Sequence, residues 1–370
     1  MSAAPAGGPT GHAPGFAQRV VHTPGFARRI VNWQRRHGRH GLPWQGTRDP
    51  YRVWLSEVML QQTQVTTVLD YYARFLAKFP DVAALAAAPL DDVLALWSGL
   101  GYYSRARNLH RCAQAVVAQY GGAFPRASQA LATLPGIGRS TAAAVAAFCF
   151  GERAAILDGN VKRVLARALG FGGDLASATE LHKLWAMADA LLPRTDVDVY
   201  TQGLMDLGAT VCTLRQPACG RCPLSADCVA FAQGATARYP VKTRKLKRGA
   251  RRHALLWAVH RDRVWLTQRP ATGVWAGLWS LPEFDDAAAL WAFTAGWPGE
   301  GKALPALRHA LTHFDWQLEP YRWTVPARGA GAVRKALEAL ETSHPGRWFT
   351  TEEALVLGLP APIRRWLSAD

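Results

Sequence analysis
Cys212, Cys219, Cys222 and Cys228 stand in a C-x6-C-x2-C-x5-C spacing that brings four thiols into one short loop. The N-terminus shows no continuous apolar leader, so a reducing, cytoplasmic setting is expected, and four cysteines so placed imply a metal site rather than disulfides. Zinc and a 4Fe-4S cluster are both open on this donor set. The single Cys-x-x-Cys between two wider gaps departs from the two-knuckle pattern of common zinc modules and favours the cluster. Arg215 and Arg221 lie inside the loop, where a cluster that stiffens it would also aim two guanidiniums at phosphate. Cys112 and Cys149 fall among apolar helical neighbours instead and read as packing residues.

A second stretch with chemical content opens Leu134-Pro135-Gly136-Ile137-Gly138-Arg139-Ser140 and closes Leu157-Asp158-Gly159-Asn160-Val161-Lys162. Residues 128–134 read as a short helix with Ser128 as N-cap, and 139–150 as an Ala-rich helix anchored by Val145, Phe148 and Phe150. Gly136 and Gly138 fall where the chain turns sharply and leave the backbone bare. A hairpin of this kind presents N–H groups beside a positive helix end, a site for an anion such as phosphate. An ordinary helix–helix turn has the same letters, so the motif alone does not decide. Asp158 precedes the helix expected over 161–169 and reads as its N-cap.

The rest of the chain must position these groups. Its 370 residues suffice for two domains with full cores, and no apolar run is long enough to cross a bilayer. A net charge of +16 suits a polyanionic partner, nucleic acid before an acidic membrane surface. Residues 1–24 are Ala-, Gly- and Pro-rich and expected to be a disordered tail. They hold the first copy of a small repeat, His12 to Val20, which recurs as His22 to Ile30 and runs into an amphipathic helix carrying Phe26, Ile30 and Trp33. From Trp54 to Ala232 the pattern is helical, with helices expected over 51–69, 71–79, 90–97, 106–120, 161–169 and 181–192. Residues 242–252 then carry seven Lys or Arg and no acid, and 236–252 is expected to be a basic linker. Strands follow over 253–259, 264–268 and 316–325, with helices over 333–340 and 361–367, which describes a separate α+β domain over 253–370.

Together, Pro135-Gly136-Ile137-Gly138, Leu157 to Lys162 and the four cysteines resemble the helix-hairpin-helix DNA glycosylase superfamily with an iron–sulfur loop. Within it, Trp54-Leu-Ser-Glu-Val-Met-Leu-Gln-Gln-Thr-Gln-Val65 and Gly99-Leu-Gly-Tyr-Tyr103 are similar to the adenine DNA glycosylase (MutY) family, over a span from about Phe26 to the C-terminus. The resemblance implies a mainly α catalytic domain over 25–235, with its iron–sulfur loop at 212–228, followed by the α+β Nudix-like domain. It implies monofunctional base-excision repair: adenine mispaired with 8-oxoguanine or guanine is flipped from duplex DNA and its N-glycosidic bond hydrolysed. The implied cofactor is a 4Fe-4S cluster. The implied partner is double-stranded DNA carrying A:8-oxoguanine or A:G mispairs, met by a monomer in the cytoplasm at the nucleoid, with no membrane.

That chemistry needs a proton on the departing base and a counter-charge for an oxocarbenium-like sugar, tasks that two carboxylates in different environments divide. Glu57 lies on a helix among Trp54, Val58, Met59 and Leu60, with Gln61 and Gln64 continuing a polar stripe. Apolar neighbours raise a carboxyl pKa, although a solvated helix face is the commoner place for a Glu. The resemblance makes Glu57 the acid and Asp158 the residue that steadies the sugar and manages water. Ser140 occupies the position of the lysine nucleophile in endonuclease III type relatives, and a hydroxyl forms no Schiff base. Ser140 and Asn160 are expected to support catalysis. Gln62 and Tyr102 match the family's intercalating positions, and Gly136, Gly138, Arg139 and Lys162 are expected to contact DNA. Gln61 is a weaker candidate for reading the base, and core packing is the plainer fate for Tyr102.

Gly273-Val-Trp-Ala-Gly-Leu-Trp-Ser-Leu-Pro-Glu-Phe284 resembles a Nudix fold, but Asp285-Asp286 followed by Ala-Ala-Ala-Leu lacks the Glu-rich, magnesium-binding helix. In the family this domain recognises 8-oxoguanine, and the matching stretch here is Leu311-Thr312-His313-Phe314. His313 is expected to read the base with Thr312 in support, against the plainer reading of a strand with alternating faces. Three rival activities are a bifunctional glycosylase/lyase, a non-catalytic DNA-binding scaffold and a nucleotide diphosphate hydrolase, the last disfavoured by the missing magnesium helix.

Overall fold
The computed structural model describes residues 25–243 and 248–369. The tail expected over 1–24 and positions 244–247 of the basic segment lie outside the described residues. Up to residue 232 the secondary structure is helical: α1 (Phe26–His37), α2 (Pro50–Leu60), α3 (Val65–Lys78), α4 (Val82–Ala87), α5 (Leu90–Trp97), α6 (Ser104–Tyr120), α7 (Ser128–Leu131), α8 (Arg139–Phe150), α9 (Gly159–Leu169), α10 (Ala178–Ala190), α11 (Val197–Thr210) and α12 (Val229–Ala232). No strand interrupts them among the described residues.

Two local expectations need correction. The helix expected over 51–69 is two helices, because α2 stops at Leu60 and Gln62 takes a left-handed φ of 58° before α3 begins. Gln61 and Gln64 therefore do not continue the helical face of Glu57. The break has a cause: the Arg105 guanidinium takes the carbonyls of Met59 and Gln61, which a continuing helix would have bonded itself. Ser128 is not an N-cap either. Ala127 caps α7, while the Ser128 amide and hydroxyl both donate to the Glu152 carboxylate, at 2.6 Å each.

Two compact units are present, and the chain passes between them three times. One contains described residues 25–58 and 123–243. Its core is lined by Ile30, Ala144, Val161, Leu165, Leu184 and Leu207. Helix α11 packs against α1 and α9. Glycines permit the closeness: a Cβ on Gly203 would stand 2.7 Å from Ile30 Cγ2, and one on Gly208 would stand 2.6 Å from Asn160 Cβ.

The other unit contains residues 59–122 and the described part of 246–370. After β1 (Gly249–His260), β2 (Arg263–Gln268), β3 (Trp279–Ser280) and β4 (Glu283–Phe284) come α13 (Ala287–Phe293), β5 (Glu300–Ala303), β6 (Leu307–Ala310) and β7 (Phe314–Val325). Helix α14 (Ala330–Ser343), β8 (Gly346–Thr350), α15 (Thr351–Leu355) and α16 (Ala361–Ser368) complete it. The sheet runs β3-β2-β1-β7-β5, with β4 on β1, β6 on β7 and β8 on β2. Its spine is the parallel pair β1 and β7, in register from Gly249↔Phe314 to His260↔Val325. Leu255 and Leu256 are both fully buried although they face opposite sides of β1, as in strands covered on both faces. β1 begins at Gly249, so the last residues of the expected linker are strand.

Within this unit, α3–α6 pack with the C-terminal part. Ser98 Oγ and the Tyr103 hydroxyl donate to the Leu359 carbonyl at 3.0 and 2.9 Å, and Arg107 Nη1 donates to that of Ala276 at 2.7 Å. A Cβ on Gly358 would meet Leu94 at 2.8 Å, so only glycine admits this approach.

Candidate active site and cysteine loop
Glu57 sits in α2 between buried Trp54, Leu55, Ser56 and Val58. Among the described residues no group donates a hydrogen bond to its carboxyl. Desolvation, then the nearby charge of Asp158, pushes its pKa up to about 8, so it is protonated at neutral pH. Cys149 shares this neighbourhood: burial, then the charges of Asp49 and Glu57, pushes its thiol up to about 12. Cys149 and Cys112 are both free and buried, as expected of packing residues.

Asp158 caps α9, its Oδ1 accepting the Val161 amide at 2.7 Å. Burial raises its pKa, while the Val161 and Asn160 amides and the charges of Arg163 and Lys162 pull it down. The helix N-terminus and its amides favour the charged form of Asp158, whereas Glu57 has no such support and keeps its proton. Burial lowers the Lys162 pKa, opposed by Asp158.

Ser140 joins the hairpin to this turn. Its Oγ accepts the amide of buried Leu157 at 3.0 Å and so braces the residue before Asp158. In the hairpin, Gly136 has φ 76°, whereas Gly138 is extended and caps α8 without a side-chain bond. Only Gly136 therefore requires glycine for its conformation. Both are exposed, and nothing lies within 4 Å of a Cβ built on Gly138, which leaves backbone open to an anion. Arg139 is exposed but engaged, bonding Asp189 at 2.9 Å and lying 3.9 Å above the Trp185 ring.

Behind α9 lies the cysteine loop. Asn160 Oδ1 accepts from Arg163 Nη2 at 2.8 Å, and Arg163 also donates to the carbonyls of Gly208 and Cys212. Arg167, one turn on, is 2% exposed and donates to the carbonyls of Thr213, Leu214, Thr236 and Tyr239, with Nη1 3.5 Å from Cys212 Sγ. These two arginines, at i and i+4 on α9, were not singled out by spacing, although Arg-x3-Arg on a helix followed by a cysteine loop is a legible signal. Burial, and after it the charge of the neighbouring thiols, raises Cys222 and Cys228 against backbone hydrogen bonds that pull the other way; Cys222 reaches about 11. Among the described residues no three His, Cys, Asp or Glu side chains converge on a site for one metal ion. Arg215 and Arg221 are exposed.

The remaining expected residues lie in the other unit. Gln62 and Tyr102 are exposed at left-handed φ values of 58° and 50°. Tyr102 is thus not a core aromatic; its neighbour Tyr103 is buried instead. Thr312 and His313 are exposed in the turn joining β6 to β7, not on a strand. The Tyr102 hydroxyl lies 3.2 Å from Thr312 Oγ1. Arg105, buried beneath, escaped notice from sequence because nothing local marks it.

Two family models match the chain: the HhH-GPD superfamily base excision DNA repair protein over residues 55–187, and the NUDIX domain over 253–369. The adenine DNA glycosylase of Buchnera aphidicola subsp. Acyrthosiphon pisum (strain APS) is 33% identical over 346 residues, covering 91% of this chain and 95% of its own. That of Mus musculus is 34% identical over 391 residues, covering 87% and 73%. Among solved structures, a thermostable thymine-DNA glycosylase aligns with a TM-score of 0.50 and 30% identity, over 59% of this chain and 97% of its own.

Proposed function
The chain belongs to the adenine DNA glycosylase family, and from that premise we propose that it excises adenine mispaired with 8-oxoguanine or guanine in duplex DNA by hydrolysing the N-glycosidic bond. The observation that carries this reading is the pairing of Glu57, set among buried neighbours and raised to about 8, with Asp158, the helix cap close enough to add to that rise. Glu57 gives its proton to a ring nitrogen of the extruded adenine. The C–N bond then breaks with its electron pair leaving on the base, and Asp158 steadies the cationic sugar until water adds to the anomeric carbon. The water's proton leaves to a carboxylate, restoring neutral charge at the sugar.

Ser140 offers no amine, so the reaction ends at the abasic site without strand cleavage. Gly136, Gly138 and Lys162 supply donors and charge for the DNA backbone, with Arg139 available if it leaves Asp189. Gln62 and Tyr102 fill the gap left by the flipped base, and Thr312 and His313 read the opposite base. No helix among the described residues is long and apolar enough to cross a membrane.

The four cysteines fit a 4Fe-4S cluster. Cys212, Cys219 and Cys228 each raise the Cys222 thiol by charge, so the four cannot all ionise without a positive partner, which a cluster would supply. Cys212, Cys219, Cys222 and Cys228 would hold it, and it would supply stiffness to the loop that Arg163 and Arg167 tie to α9. Single-turnover release of adenine from duplexes with adenine opposite 8-oxoguanine, guanine or thymine tests the reading. Release in that order of rate supports it, and no release from any duplex refutes it.

A further inference from the structure
Gln62 and Tyr102 are non-glycine residues with φ near 58° and 50°. That conformation is sparsely populated for such side chains and persists where the surroundings over-determine it. Arg105 is what surrounds both. Its Nη1 donates to the carbonyls of Met59 at 3.0 Å and Gln61 at 2.6 Å, on the turn carrying Gln62. Its Nη2 donates to Thr63 Oγ1 at 3.2 Å on the same turn, and to the carbonyls of Leu100 at 3.2 Å and Gly101 at 3.3 Å, on the turn carrying Tyr102. The guanidinium packs between the rings of Trp97 and Tyr102, 5.3 and 5.6 Å from their centroids. One planar cation thus fastens two strained turns.

We propose that Arg105 is a positioning residue that presets the separation of Gln62 and Tyr102, so that both enter the base stack together when a nucleotide is extruded. The proposal deepens the glycosylase reading and rests on it. An exposed aromatic stacks on any base, and opening a stacked duplex costs a few kcal/mol. Two wedges on independently mobile turns would have to be ordered during that opening, whereas turns already fastened meet the gap in one geometry. Lysine cannot substitute: a point charge with three donors lacks the fork that reaches both turns.

The test is Arg105→Lys, assayed on duplexes with 2-aminopurine beside the mispaired adenine, whose fluorescence rises as the stack opens. Duplex affinity should stay within about 3-fold, because phosphate contacts dominate it. The fluorescence rise should fall to under about a third, and single-turnover adenine release should slow by about 10- to 100-fold. In a Gln62→Ala, Tyr102→Ala background the same substitution should change release by less than about 2-fold, since residues acting as one unit are non-additive. Equal slowing in both backgrounds would mark Arg105 as generic scaffold and overturn the proposal, as would a wild-type fluorescence rise. If Arg105→Lys does not fold, Thr63→Val, which removes one acceptor and keeps the shape, must show a smaller loss of the fluorescence rise; an unchanged rise overturns it equally. A wild-type protein that opens the stack yet releases no adenine would sink the glycosylase reading and leave this inference standing.

Discussion

The hydroxyl of Tyr102 meets Oγ1 of Thr312 at 3.2 Å across 210 positions of sequence. In the proposed function one enters the base stack and the other reads the opposite base, so this contact couples the two events. Tyr102→Phe and Thr312→Val each remove one hydroxyl. Each should narrow the preference for 8-oxoguanine over guanine by a similar factor, up to about 5-fold for a hydrogen bond of about 1 kcal/mol. The double variant should lose no more than either single one; additive losses in single-turnover rates would show that the pair does not act as a unit.

Glu57→Gln removes the acid and should slow adenine release more than about a thousandfold, while duplex binding changes little. It should also stabilise the protein in a pH-dependent way. The unfolded chain releases the Glu57 proton near 4.5 and the folded chain near 8, so ionisation penalises folding increasingly between those values. Thermal melts should show Glu57→Gln more stable than wild type at pH 8, by on the order of a few kcal/mol, and nearly equal at pH 4. Equal melting temperatures at pH 8 would show that Glu57 is not desolvated.

The same two carboxyls shape the pH profile. Activity should fall on the alkaline side as Glu57 ionises near 8. It should fall on the acid side as Asp158 takes up a proton, above the ordinary aspartate value because burial outweighs its helix-end bonds. Single-turnover rates from pH 4 to 10 should therefore be bell-shaped; a flat alkaline side would remove Glu57 as proton donor.

Ser140→Ala deletes the acceptor of the buried Leu157 amide. An unpaired buried amide costs about 1–3 kcal/mol, which thermal unfolding should register. Release should slow by about 10-fold, through misplacement of Asp158, because small displacements at a reacting centre are expensive. Neither wild type nor variant should nick DNA in a denaturing gel without added base.

Purified protein should be brown and carry iron. Cys222→Ser should lose both colour and iron, and melt at a lower temperature, because ligand binding and folding are linked. A colourless protein with one zinc per chain would replace the cluster.

Features decided by neighbours in sequence were legible there. Asp158 caps the helix that follows it, and the strand expected over 253–259 falls within β1. Features set by distant partners were not. The break after Leu60 is imposed by Arg105, more than forty positions on, so the apolar spacing of 51–69 reads as one helix although the chain turns within it. Ser128 has the right chemistry for a cap, but the Glu152 carboxylate claims it from the next helix end. The short strands β3 to β6 hold too few residues for alternation to register. Gly138 looks like its neighbour Gly136, yet only φ separates a glycine required by the turn from one left open to a ligand.

The chain leaves one packing unit after Val58, returns at Ala123 and departs again at Lys245. A proteolytic cut at the basic segment would therefore divide one packing unit between two fragments. The piece ending there would keep Ser98, Tyr103 and Arg107 but forfeit the Leu359 and Ala276 carbonyls that accept their hydrogen bonds. An amino-terminal fragment made by such a cut should bind hydrophobic dyes at the bared surface of α5 and α6.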